Sequence, residues 1–104
     1  MELEYPVKEA VKYFLSKGEE TISSGFHHHF KPPSWAIVFM NPSDKLLAAA
    51  REAGCEIRLR PVKPQFQEHL GTELTDIYLP KVREDEPDKA KGMFTRLIQA
   101  YEEV

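Results

Sequence analysis

Four histidines, two strand arginines, one turn and one cysteine are the residues of this chain that could do chemistry. The run His27-His28-His29 is the most unusual. On an extended chain, residues at i and i+2 share a face, so His27 and His29 would point the same way. Two imidazoles so placed suit a divalent transition metal such as Zn²⁺. A complete site needs a third ligand, and His69, Cys55, Glu56 or Asp76 would have to supply it. No spacing in the sequence demands that, and there is no Cys-x-x-C pair. The plain alternative places His27 and His29 in solvent, with His28 packed beside Phe26 and Phe30.

The second set is Arg58 and Arg60, which alternate with Ile57 and Leu59 and are followed by Lys63. Two guanidinium forks on one strand face suit a carboxylate or a phosphate, which they bind in bidentate geometry. The expected ligand is a small anion, a nucleotide or an acidic partner. If the strand carrying His27 and His29 presents the same face, all four residues share one surface. The alternative is a solvated strand face on which the arginines pair with Glu56 or Asp76.

Asn41-Pro42-Ser43-Asp44 follows an apolar segment and opens a helix, a place where helix N–H groups favour anions. No Gly-rich phosphate loop accompanies it, and Asp44 would repel a phosphate. Helix capping accounts for these residues. Cys55 is the only cysteine, so no intramolecular disulfide can form and a reducing cytoplasm is the simple expectation. Its alternation with Ile57 and Leu59 points it into a core, as a structural thiol rather than a nucleophile. No Ser-His-Asp order, paired-carboxylate motif or H-E-x-x-H is present, so the expectation leans away from an enzyme.

These residues need elements to position them. The anchor is Trp35-Ala36-Ile37-Val38-Phe39-Met40, an uncharged run between Pro32-Pro33 and Asn41-Pro42. It reads as a central strand buried on both faces. Before it, Val7, Ala10, Val11, Phe14 and Leu15 form one stripe of a helix over 6–17, with Gly18 after it. Period-two alternation then runs from Thr21 to Phe30, placing Ile22, Phe26, His28 and Phe30 on one side. Ser23-Ser24-Gly25 weakens its middle, so a bulge or a late strand start is expected near Gly25. The short Lys31-to-Ser34 connection predicts an antiparallel pair.

After the anchor, the pattern predicts a helix over 43–53 and a strand over 55–60, a crossover that makes strands 35–40 and 55–60 parallel. Residues 61–74 are hard to read, with one helical turn expected over 65–70. A strand follows over 74–79, then a polar linker at 83–86. The last helix, 87–102, has the clearest signal: Ala90, Met93, Phe94, Leu97, Ile98 and Tyr101 recur at helical spacing.

The expected fold is α+β, a two-layer arrangement in αββαββα order. A mixed four-stranded sheet carries its helices mainly on one face. A rival arrangement sets helices on both faces. With 104 residues the chain reads as one domain, 1–104, able to bury a modest core of its own. Charged residues make up 30% and the net charge is −3, which argues against a general nucleic-acid binder. No apolar run reaches the roughly 18 residues of a membrane span, and no signal peptide is read. The function expected is a small binding or interaction domain acting through an exposed sheet face, by homodimerisation or on a protein partner. The alternatives are a metal-binding protein or metal-dependent enzyme using His27 and His29, and an anion or nucleotide binder using Arg58 and Arg60.

Overall fold

The computed structural model describes residues 4–104. The elements run α1 (Tyr5–Ser16), β1 (Glu20–His27), β2 (Ser34–Met40), α2 (Asp44–Glu52), β3 (Glu56–Pro61), a 3₁₀ turn (Pro64–Phe66), the single-turn α3 (Gln67–Leu70), β4 (Glu73–Tyr78) and α4 (Pro87–Glu103). The fold is α+β, with one four-stranded sheet in the order β1-β2-β4-β3.

Every neighbouring pair is antiparallel. The expected crossover from β2 through α2 to β3 exists, but the two strands are not neighbours. β4 turns back and inserts between them, pairing Ile77 with Ile37 on one side and with Ile57 on the other. The sheet is therefore antiparallel throughout rather than mixed. The 61–74 connection made this hard to foresee, because its unreadable pattern hid a reversal. Val62 N–H donates to the Thr72 carbonyl, so the ends of this loop are tied together.

α1, α2 and α4 share one core with the odd-numbered residues of β2. That core holds Val7, Ala10, Val11 and Phe14 from α1, and Leu46, Ala49 and Ala50 from α2. β2 adds Trp35, Ile37 and Phe39, and α4 adds Ala90, Phe94, Leu97, Ala100 and Tyr101. Phe14 stands edge-on to Phe39 (5.8 Å) and to Tyr101 (5.3 Å), so one ring joins α1, β2 and α4. All three long helices lie on this single face, and the rival arrangement with helices on both faces is not adopted.

Ser43 caps α2, its Oγ accepting from Leu46 N–H. The same turn meets Glu19, a buried carboxylate that no local pattern announced. Glu19 accepts from Ser43 N–H and Oγ–H and from the Tyr101 hydroxyl. Three elements distant in sequence thus close on one carboxylate, and its burial is matched by hydrogen bonds. The Asn41-to-Asp44 turn is occupied by this capping work.

β2 is buried along Ser34–Phe39, on both faces, as its composition predicts. Among the described residues no helix covers its second face. A second, smaller cluster does: Phe30 lies over Ala36 and Val38, flanked by Leu74 and Tyr78. The bulge in β1 falls between Thr21 and Ser23, earlier than the Gly25 position that composition suggests. Gly25 has its own reason to be glycine. Its φ is +123°, and a Cβ there would meet the Glu4 carboxylate at 2.8 Å. No helix among the described residues is long and apolar enough to cross a membrane.

Candidate functional site

The helix-free face of the sheet collects the chain's polar chemistry. Strand alternation and the observed register put His27 and Ser23 of β1, Arg58 and Arg60 of β3, and Leu74, Asp76 and Tyr78 of β4 on that face. At its centre sits Asp76, with no exposed surface at all. Arg60 grips it from above in the bidentate geometry of a guanidinium fork. Nε donates to Oδ2 at 2.6 Å and Nη2 to Oδ1 at 2.8 Å. Arg58 Nε donates to the same Oδ2 at 3.0 Å. A buried carboxylate is tolerated only when paired and fully hydrogen-bonded, and here two cations meet one anion.

The arginines are positioned from a second side. Phe30 comes from the β1–β2 connection and lays its ring under both guanidiniums, with Cζ of Arg58 4.4 Å and of Arg60 5.3 Å from its centroid. The Tyr78 ring of β4 lies 5.6 Å from the Arg58 guanidinium. Planar guanidinium on an aromatic face is the stacking that arginine, unlike lysine, performs well. The side chains of Arg58 and Arg60 keep 33% and 40% of their surface in solvent. Both Nη groups of Arg58 and one of Arg60 have no protein acceptor among the described residues. The site is a rigid pair of forks with one unit of positive charge left over.

His27 stacks on the same Phe30 ring, with centroids 4.5 Å apart and planes at 23°. Both of its nitrogens are engaged. Nδ1 lies 3.0 Å from the Gly25 carbonyl, which can only accept, so Nδ1 carries the hydrogen. Nε2 lies 3.1 Å from Ser23 Oγ and accepts from it when the ring is neutral. Burial lowers the His27 pKa below the ordinary 6.5, and Arg60 acts in the same direction. The Gly25 hydrogen bond, Asp76 and Glu4 oppose it. A base whose folded pKa is depressed gives stability that is present above its unfolded value and lost as pH falls through the folded one. Through this group the protein is therefore expected to be less stable at about pH 5 than at about pH 7. His27→Phe removes that slope, and urea melts at both pH values measure it. An identical slope in parent and variant would refute the assignment.

The extended pattern expected through His29 stops short. β1 ends at His27, and His28 and His29 lie exposed in the turn that follows. His27 and His29 consequently do not share a strand face. His28 is exposed rather than near-core, but its ring still packs edge-on to Phe26 at 5.0 Å as expected, and its Nε2 meets Glu84 Oε2 at 2.7 Å. Phe30, expected beside Phe26, crosses to the other face and becomes the cover of the site. Among the described residues, no three His, Cys, Asp or Glu side chains converge as a metal ion requires. His69 is exposed on α3.

Cys55 is buried in the helix-side core. Burial pushes its thiol up to about 11. At pH 8 the folded protein should react with iodoacetamide on the order of 100-fold more slowly than the urea-unfolded chain, since only the thiolate attacks. Equal labelling rates, read by intact mass, would show the thiol to be accessible. Leu59, expected to follow Cys55 and Ile57 inward, instead stands 58% exposed beyond the reach of α2.

Of the four residues expected to bind a ligand, the structure brings His27, Arg58 and Arg60 to one face and leaves His29 outside. It adds Phe30, and it pairs both arginines with Asp76, one of the two carboxylates that the alternative reading of this strand named. Compared with known proteins, the chain matches no family model, no curated protein and no solved structure.

Proposed function

We propose that this protein is a non-catalytic binding domain whose working surface is the helix-free sheet face, where Arg58 and Arg60 receive a carboxylate or phosphate of a partner. The observation that carries the reading is the pair of stacked, carboxylate-braced guanidiniums with unfilled outer N–H groups. Their conformational freedom is already spent within the fold, so binding costs little ordering. Ser23 Oγ donates to His27 Nε2 on this face, but Asp76 is held by the two arginines and His27 Nδ1 by the Gly25 carbonyl, so no carboxylate orients the pair and the arrangement favours recognition over turnover.

The test is a thermal shift of the folded protein against inorganic phosphate, citrate and a poly-glutamate peptide. A probe at 100 times its dissociation constant adds about 2.7 kcal/mol of stability. Arg58→Lys keeps the charge and leaves Arg60 on Asp76, but removes one fork. It is expected to abolish most of the shift. An unchanged shift in Arg58→Lys, or no shift with any of the three probes, would defeat the proposal.

A further inference from the structure

The two edges of the sheet are unlike. β1 is closed to further pairing in three ways. It is bulged between Thr21 and Ser23. Gly25 adopts a positive φ. The outward N–H of Phe26 is already taken by the Glu4 carboxylate at 3.1 Å. Bulges and charges of this kind are how edge strands are kept from pairing. β3 has no such device along Glu56–Arg60. Its register with β4 is regular, its outer edge has no strand beside it among the described residues, and Leu59 is its most exposed apolar side chain.

We infer that β3 is a self-pairing edge, and that a second copy of this chain docks on it antiparallel about a twofold axis at Arg58. An antiparallel twofold pair keeps both sheets facing the same way, so even-numbered residues must meet even-numbered ones. With the axis at Arg58, Glu56 faces the partner's Arg60 twice and Ile57 faces the partner's Leu59 twice. The strand Glu-Ile-Arg-Leu-Arg is self-complementary in this register. Moving the axis to Leu59 would set Arg58 against Arg60 twice, which like charges disfavour. The one like-charge contact in the favoured register is Arg58 with its twin. Each of these is braced by its own Asp76 and lies over its own Phe30. Glu56 is exposed and the edge leaves it otherwise unpaired among the described residues, so the partner's Arg60 gives it a role. The pairing joins two four-stranded sheets into eight strands with all helices on one side.

This extends the reading of the molecule as an interaction domain, but does not depend on anion binding at the arginines. A six-residue strand pair is a small interface, so the dimer is expected to be concentration-dependent, with mass rising from monomer toward dimer between roughly 10 and 500 µM. Sedimentation equilibrium reads this. Leu59→Lys, at a surface position, is expected to hold the protein monomeric over the whole range while leaving the anion-induced thermal shift intact. In a Cys55→Ala background, Arg58→Cys places two thiols opposite each other on the axis and should give a disulfide-linked dimer under mild oxidation. Leu59→Cys, two positions out of register, should not. A protein monomeric at 500 µM, a dimer unaffected by Leu59→Lys, or cross-linking through Leu59→Cys in preference to Arg58→Cys would each overturn the inference. Loss of the anion shift with the dimer retained would instead defeat only the ligand reading.

Discussion

Replacing both Arg58 and Arg60 by methionine should destabilise the protein by about 3 kcal/mol, the low end for stripping the partners from a buried charge. The low end applies because the guanidiniums are 33% and 40% exposed, and their loss admits some water to Asp76. Changing Asp76 to leucine in the same background should recover most of the loss. An intact buried triad and an apolar replacement of similar volume differ little, whereas a lone buried carboxylate is costly. Urea denaturation of the parent, double and triple variants decides the matter. A triple variant less stable than the double would mean that Asp76 is satisfied by something other than the two arginines.

Phe14→Ala should cost about 3–5 kcal/mol, comparable to a large share of the stability of a domain this size. Phe14 is fully buried and edge-on to Phe39 and Tyr101, so its removal opens a cavity at the junction of α1, β2 and α4. β-sheet edges offer no atoms to refill it. The cavity should also loosen Tyr101, whose hydroxyl holds Glu19, and with it the cap on α2. Hydrogen exchange should therefore show faster amide exchange in the first turn of α2 as well as in α1. Loss of less than 1.5 kcal/mol, or exchange confined to α1, would show that the core collapses onto the gap.

Local chemistry made most elements legible. The apolar stripes of α1 and α4, the glycines after α1 and α2 and the uncharged β2 run each carry their signal within a few residues. What local pattern does not carry is strand order. Nothing near Leu74–Tyr78 says that it pairs with both Ile37 and Ile57, since two parallel-running strands with a gap look the same from within either one. The site followed that split. Arg58 and Arg60 announced themselves by alternation, and Asp76 became their partner only through β4's insertion. His29 and Phe30 were misplaced together, because the alternating composition of residues 26–30 continues past the point where the backbone stops being a strand. Glu19 gave no signal, since its three donors come from residues 24 and 82 positions away.

The insertion of β4 also sets an order of events for a chain made from its N-terminus. Until residue 78 has left the ribosome, β2 can pair only with β1, and its other edge stays bare along the most apolar run in the chain. β3 has no neighbour at all, and its arginines wait without their carboxylate. A single late strand then seals β2, seats β3 and neutralises the face in one step. The nascent chain is thus most prone to stick to its own copies in the interval between synthesis of Met40 and of Tyr78. Slow translation across residues 61–74 would prolong that interval, and rapid translation there would protect the yield of folded protein.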